Sequence, residues 1–513
     1  MMAGHPPVRA AGSSGDIQTR NAAPMIRNVE TLVVGAGPAG LSAAYLLARE
    51  GREVVVLEQD PVHVGGISRS VDYKGFLLDI GGHRFVSNSE EVVDLWNEIL
   101  PEGFIERPQV SRIFHGGKFY SYPLKAVEAL RNLGVVQGAS CMLSHAWARL
   151  RPIPQPRTFH ERVRNQYGER FFSIFFRPYV EKVWRMSCDD VSPGWIGHRI
   201  KAIDPLFAFR AALGLKPRTG EAGKSFRYPR RGPGMVWEAA AEKIRARGGR
   251  VLLGRKLERL TWNDKSGSWT VTARLANGEV ETFIARNVVS SAPIRDLVDL
   301  ILPKPISLLH ARELRYRDLI TVALIARSDR DLFDDTCIHV HDPSLQVGRV
   351  LNFRAWSPEL VPHEGYACFG LQYFCLEEDG LWSADDAVLV DLAKREMAAM
   401  GLAPQAVVDA CVVRQPKAYP VYDEFYAGQV RIVQLDLETT YPTLHLVGRN
   451  GMHRDTDHDH AVLTAMLTAR NIIAGRRIHD VWAVDEDARY VGSGTPGESA
   501  APESERPVPR RAA

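Results

Sequence analysis

The run Thr31-Leu32-Val33-Val34-Gly35-Ala36-Gly37-Pro38-Ala39-Gly40 joins an apolar, β-branched strand to a glycine-rich turn. An apolar helix follows over residues 41–48, and residues 53–57 predict a second strand that ends on Glu58. In such a strand–turn–helix–strand unit each glycine has its own task. Gly35 permits the tight turn, Gly37 lets the backbone approach a pyrophosphate, and Gly40 lets the helix pack close to the strand. Pro38 and Ala39 occupy the first helical turn, whose free N–H groups and partial positive charge favour phosphate. Glu58 can accept hydrogen bonds from a ribose 2′-hydroxyl. Flanking strands, spacing and terminal acid together predict a dinucleotide-binding unit rather than a chance glycine turn.

Further along come Gly65-Gly66-Ile67-Ser68-Arg69-Ser70 and Leu78-Asp79-Ile80-Gly81-Gly82-His83-Arg84-Phe85. Taken alone they are either two ordinary loops or a track for a long cofactor. A glycine doublet followed by an arginine, just after the acid, resembles the second signature of FAD-binding flavoproteins. These form the glutathione-reductase-like group that includes amine oxidases, protoporphyrinogen oxidase and UDP-galactopyranose mutase. The resemblance implies FAD rather than NAD, held in part by Gly65, Gly66, Ser68 and Arg69, with Gly82 and His83 beside it.

A chain of 513 residues predicts two or three domains. Apolar residues at 45% and charged residues at 24% fit a globular protein, and a net charge of +3 gives no bulk attraction to nucleic acid. Six cysteines (Cys141, Cys188, Cys337, Cys368, Cys375, Cys411) are scattered without a C-x-x-C pair. That pattern fits buried thiols in a reducing compartment, and hence a cytoplasmic location, better than a disulfide frame or a zinc site. No apolar run approaches the ~18 residues of a membrane span. Residues 1–28 lack the apolar core of a signal peptide and predict a loose tail; residues 492–513 are expected to be equally loose, within a C-terminal tail drawn from residue 479 to 513.

Between these ends the pattern alternates. Helices are expected over residues 90–100, 232–247, 384–400 and 459–474. A strand pair is expected over 113–120 around Gly116-Gly117, and a hairpin over 269–285 around Asn277-Gly278. Further strands are expected from Gly249-Arg250-Val251, at 288–292 and at 445–447, with short strands through most of 318–435. Residues 124–213 are mostly helical, broken at Pro152, Pro154 and Pro156. The fold class expected is α/β. A Rossmann-like FAD-binding domain would be assembled from residues 29–123, 225–300 and 441–478. A helical insert (124–224) and an antiparallel-sheet substrate domain (301–440) would supply the rest. Val251 is a further candidate cofactor contact.

The densest polar run is Gly448-Arg449-Asn450-Gly451-Met452-His453-Arg454-Asp455-Thr456-Asp457-His458-Asp459-His460, between a strand and the last helix. Loops there commonly hold ligands in α/β folds. The following helix would aim its positive end at the pyrimidine side of a flavin. Gly448, Arg449 and Asp457 are the cofactor candidates here, and Arg454 a substrate candidate. The same run also admits metal binding by its histidines and aspartates, or plain helix capping. Arg349 and Arg354 would point to opposite faces of a strand. Arg349 then either clamps a phosphate or carboxylate or pairs on the surface. Tyr419, in Tyr419-Pro420-Val421-Tyr422-Asp423, lines a pocket or packs in a core. Tyr179, Trp184 and Trp195 form an aromatic wall or a core stripe. Arg149, Arg151, Arg157, Arg162, Arg164 and Arg170 make the insert basic, which suits an anionic substrate, a membrane surface or a solvated face. No P-loop, G-x-S-x-G elbow or second dinucleotide fingerprint is present.

The span from Val29 to Gly475 resembles the UDP-galactopyranose mutase branch of these flavoproteins. Ile80-Gly81-Gly82-His83-Arg84-Phe85 is similar to its G-P-H-x-F segment, and residues 178–184 to its G-Y-T-R-K-Q-W. Gly348-Arg349 and Ala418-Tyr419-Pro420-Val421-Tyr422-Asp423 resemble its substrate-clamping segments. Phe226-Arg227-Tyr228-Pro229 leans towards the oxidases. The resemblance implies His83, Arg349 and Tyr419 at the reaction centre, with Tyr179, Trp184, Arg349, Tyr419 and Arg454 facing substrate. Two positions depart from the pattern: Glu181 stands where the family has a diphosphate-binding arginine, and Thr456 where it has a tyrosine. A glutamate there repels a diphosphate. The expectation is therefore an FAD-dependent oxidoreductase moving a hydride between flavin N5 and a sugar- or glycan-related small molecule. Its external electron partner would be NAD(P)H, oxygen or a quinone. The alternative is a sugar-nucleotide mutase that uses reduced FAD as an N5 nucleophile.

Overall fold

The computed structural model describes residues 26–82, 84–122, 124, 126–192, 225–328, 332–404, 406–454, 456–485 and 488–490. The strand Ile26–Val34 lies inside an eight-stranded sheet, paired in parallel with Val54–Leu57 and Val280–Ser290. Arg250–Leu252 and Leu444–Leu446 extend the parallel set on either side. The antiparallel strands Arg255–Asn263 and Ser268–Leu275 complete it with Ile301–Leu302. Leu32, Val33 and Val34 are apolar without alternation because both faces are covered. Val33 packs in one core with the helices Pro38–Arg49, Gly234–Ala246 and His458–Ala474, and Leu32 and Val34 in another with Leu297, Val433 and Leu437. The first helix begins at Pro38, earlier than residue 41, because a proline in the first turn has no N–H to lose and its φ is already helical.

A second, seven-stranded sheet runs Ala406–Pro420, Tyr316–Arg327, Tyr366–Cys375, Arg349–Asn352, Cys337–Val340, Ser111–His115, Lys118–Ser121. One face, with Ile320, Val322, Leu371 and Tyr373, packs on the helix Asp386–Ala399 through Leu389, Ala393 and Met397. On the other face Thr321, Gln372, Arg349 and His339 stand side by side across four strands.

Several expectations are corrected. The strand pair near residues 113–120, expected with residues 29–123, is the edge of the second sheet, where Ser111–His115 pairs with Cys337–Val340 and Phe114 enters the apolar cluster. Three strands of the 318–435 region are long, with 12 residues in Tyr316–Arg327, 10 in Tyr366–Cys375 and 15 in Ala406–Pro420, while Cys337–Val340 and Arg349–Asn352 are short as expected. A helix, Tyr426–Thr440, replaces the last of the expected strands and packs Val430, Val433 and Leu437 on the first sheet, as Ile301–Leu302 does by pairing. Its exposed Ile432 and Leu435 blur the apolar period that would have revealed it. Residues 26–28, expected in a tail, pair with Thr282, Phe283 and Ile284. Residues 479–485 are likewise ordered, with a turn at Val481–Ala483 and a bridge from Val484 to Tyr490. The strand at Arg349 stops at Asn352, whose side chain caps the short helix Phe353–Trp356, so Arg354 is helical. His83, Trp195 and Asp455, with residues 1–25 and 491–513, lie outside the described residues.

Candidate functional site

A cleft of about 430 Å³ opens where the first sheet's glycine turn meets the second sheet. Its walls include Gly35, Gly37, Pro38, Ala39, Glu58 and Gly66 from the first two segments, and Gly448, Arg449, Thr456, Asp457 and His458 from the closing loop. Gln415, Lys417 and Ala418 come from the second sheet. Nine predicted cofactor residues thus meet in one place.

The turn is built by exclusion. Gly35 has φ +94°, and a Cβ there would lie 2.5 Å from Ser291 Oγ. A Cβ at Gly40 would lie 1.9 Å from the Gly35 carbonyl oxygen, so the helix can sit this close only on glycine. At Gly37 the nearest atom to such a Cβ is Gly66 Cα at 4.0 Å, so these two glycines leave a gap rather than a contact. Gly37, the N-cap of the first helix, provides no side-chain cap, and neither does Asp457 at the last helix, leaving first-turn N–H groups for an anion. Glu58 is fixed at the strand end, accepting from Ala36 N–H at 2.7 Å and Asp60 N–H at 2.9 Å. Burial nevertheless pushes its carboxyl above the ordinary value, against those two hydrogen bonds. At the other end Arg449 Nη1, Asn450 Oδ1 and Thr456 Oγ1 are buried without partners among the described residues. An open glycine gap, a fixed acid and orphaned polar atoms suit an extended dinucleotide.

Other predicted cofactor residues stand behind the cleft. Gly65 N–H donates to Ala36 O at 2.7 Å, and Ser68 Oγ accepts from Trp237 Nε1 at 2.9 Å. Arg69 donates to Gly66 O at 2.9 Å and to Gln415 Oε1 on the second sheet. These residues hold the second glycine segment in place. Gly82, with φ +60°, faces Leu351 of the second sheet and Trp356 of the short helix that follows that strand. Val251 pairs with Val56 and packs its side chain in the core, while Arg255 and Leu257, nearby in sequence, wall the cleft with Gln59. The Arg454 guanidinium donates to Trp482 O at 2.9 Å and Val484 O at 3.1 Å, tying down the segment after the last helix. No cluster of three or more His, Cys, Asp or Glu able to hold a metal occurs among the described residues. His453 bonds the Val421 carbonyl at 3.1 Å, and His458 packs on Phe85 and Trp237.

Next to the cleft is a pocket of arginines and aromatics. Arg449 lies 5.1 Å and Arg317 5.3 Å from the Tyr419 ring, and Arg349 Nη2 is 3.4 Å from its hydroxyl. Burial raises the Tyr419 pKa, but the guanidinium groups of Arg349, Arg449 and Arg317 outweigh it, leaving the phenol below its ordinary value. Trp184 lies 3.8 Å beneath Arg317. Tyr179 bonds His339 Nδ1 at 3.0 Å and stacks on His341 at 4.3 Å. His339 is pushed down to about 3 by burial and by the neighbouring Arg349 and Arg84. Arg349 is half-buried, its Nε has no partner, and no carboxylate among the described residues pairs with it. An unpaired cation in such a place is costly unless an anion arrives. Glu181 is turned elsewhere, its carboxylate 3.4 Å from Cys188 N–H.

Sequence reasoning missed Arg317, Gln372, Thr321 and His339. Gln372 Nε2 donates to the Ile80 carbonyl at 2.6 Å, and Thr321 Oγ1 donates to the same carbonyl at 3.4 Å, fastening the Gly81-Gly82 segment to the second sheet. For Gln372 and His339 the available signal was a lone polar residue in an otherwise apolar strand; Arg317 and Thr321 share a strand with Asp318 and gave no such signal.

Comparison with known proteins gives the same picture. The sequence pattern of flavin-containing amine oxidoreductases matches residues 38–473. The fold superposes on crystalline reduced UDP-galactopyranose mutase with a TM-score of 0.76 at 21% identity, covering 87% of this chain and 94% of that one. Curated relatives match over short stretches. The inactive all-trans-retinol 13,14-reductase of Danio rerio is 46% identical over 54 residues, 10% of this chain and 9% of that protein. Putrescine oxidase of Kocuria rosea is 43% identical over 70 residues, 14% of each. The chain therefore matches only a small share of either relative's length.

Proposed function

The chain belongs to the family of flavin-containing amine oxidoreductases and takes FAD as its cofactor, and from that premise we propose that it oxidises or reduces an anionic, sugar- or glycan-related small molecule. The single observation that carries this reading is Arg349 among Tyr419, Arg84 and His339, a cationic pocket in which no carboxylate among the described residues pairs with Arg349. When bound, FAD supplies a hydride acceptor or donor. Glu58, the Gly37–Gly66 gap and the two uncapped helix ends would hold it. Arg349 would bind a phosphate or carboxylate of the substrate bidentately and fix the distance of the reacting carbon. Tyr419 Oη, set among three guanidinium groups, would hydrogen-bond the substrate hydroxyl or amine whose carbon is oxidised and orient it. Tyr179, Trp184 and the apolar walls would keep water out. Electrons would pass on to an external acceptor such as oxygen, a quinone or NAD(P)+.

A second reading, sugar-nucleotide mutase, is favoured by Arg349 and by Glu181 facing Cys188 N–H rather than Arg349. One anaerobic experiment separates the two. Oxidised protein is mixed with anionic sugars and amines, and dithionite-reduced protein with UDP-galactofuranose. Loss of oxidised-flavin absorbance without isomerisation supports the oxidoreductase. Conversion to the pyranose form without net flavin oxidation overturns it in favour of the mutase.

A further inference from the structure

The helix Val135–Leu150 is built inside out. Its buried residues are small (Gly138, Cys141 and Ala148), and they lie against the helices Phe159–Tyr167 and Glu169–Phe171. The approach is close enough that a Cβ on Gly168 would lie 2.6 Å from His145 N. The large apolar side chains point the other way: Val135 is 88% exposed, Leu143 73%, Trp147 53% and Leu150 78%. With Ala139, Met142 and Ala146, also exposed, they form one stripe at helical spacing along the whole helix. Elsewhere most exposed apolar residues stand singly, as on any protein surface.

The charge along the segment that carries the stripe is of one sign. From Ala129 to His160 the sequence carries no Asp or Glu and four arginines, Arg131, Arg149, Arg151 and Arg157, all exposed. The Arg151 guanidinium lies 4.7 Å over the Trp147 ring at the end of the stripe. An apolar stripe with tryptophan, on a segment that carries arginines and no carboxylate, matches a helix lying in the plane of an anionic lipid surface. Among the described residues no helix is long and apolar enough to cross a membrane. We propose that this face of the helical insert docks the enzyme on an anionic bilayer, with the stripe in the headgroup–acyl boundary and the arginines on lipid phosphates.

The test uses the full-length, FAD-loaded protein and two kinds of vesicle, phosphatidylcholine alone and an equal mixture with phosphatidylglycerol. The protein is expected to sediment with the mixed vesicles and much less with the neutral ones. Leu143→Glu/Trp147→Glu should weaken that association on the order of tenfold or more, and Arg149→Glu/Arg151→Glu should weaken it mainly at low salt. Unchanged FAD content and melting temperature confirm that both variants fold, since these side chains are exposed. The proposal is overturned if neither vesicle binds the protein, or if the Leu143/Trp147 variant binds as well as the parent. It is equally overturned if sedimentation velocity shows that the stripe joins two copies of the chain and lipid does not compete.

Discussion

Around Gly35 and around Arg349 the molecule builds a site in two different ways. At Gly35 the backbone does the work. A strand, a turn and a helix adjacent in sequence leave a gap that a side chain would fill, and the Glu58 carboxylate, 22 residues beyond Ala36, closes it. At Arg349 the side chains do the work. His339, Arg349, Gln372 and Thr321 come from four strands and meet only through sheet register. The first kind of site tolerates little change in shape but is indifferent to most chemistry. The second can change its ligand by single substitutions while its scaffold stays.

That contrast can be broken by experiment. The largest effect is expected at Gly40→Ala, whose Cβ would press on the Gly35 carbonyl. The variant should lose more than about 3 kcal/mol of stability and most of its FAD, read by thermal melting and flavin content. Arg349→Ala should instead keep its FAD and weaken substrate binding by about 1.5–3 kcal/mol, read as a raised KM. Loss of FAD there would show that the two halves are not separable.

A third test concerns Asp79, buried between Ser70 Oγ, which donates to it at 2.9 Å, and the Tyr228 hydroxyl. Burial pushes its pKa from 3.8 to about 7. A folded-state value above the unfolded one means that the folded protein holds the proton more tightly. Its stability contribution is therefore complete below pH ~4 and is lost as pH rises through about 7. Wild type should lose on the order of 2 kcal/mol from this group between pH ~5 and ~7, and Asp79→Asn should flatten that slope in denaturant titrations. The smallest effect is expected at Gln372→Leu. Removing the amide from the Ile80 carbonyl should cost about 1 kcal/mol of stability and shift the flavin absorption bands, since the Gly81-Gly82 segment loses its anchor.

The same contrast explains what was legible in the sequence. Gly35, Gly37, Gly40 and Glu58 could be read because the local chain geometry demands those residues at that spacing. The closing loop could be read because it follows a strand and precedes a helix. Arg317 could not: it lies in Tyr316–Arg327, eleven of whose twelve residues are buried, and its aromatic partners Trp184, Phe374 and Tyr419 come from distant segments. The carbonyls that Arg454 serves, Trp482 and Val484, lie 28 and 30 residues on and could not be read from its polar neighbours. The turn of the Val251 side chain into the core depends on sheet packing in the same way.

The central claim is that an anion held by Arg349 lies within reach of the flavin ring. The direct measurement is the flavin difference spectrum of FAD-loaded protein titrated with inorganic pyrophosphate or malonate, for wild type and Arg349→Ala at equal FAD occupancy. A saturable band shift in wild type that is lost or weakened at least about tenfold in the variant is the predicted result. The same shift with the same affinity in both proteins, or no shift in either, would contradict it.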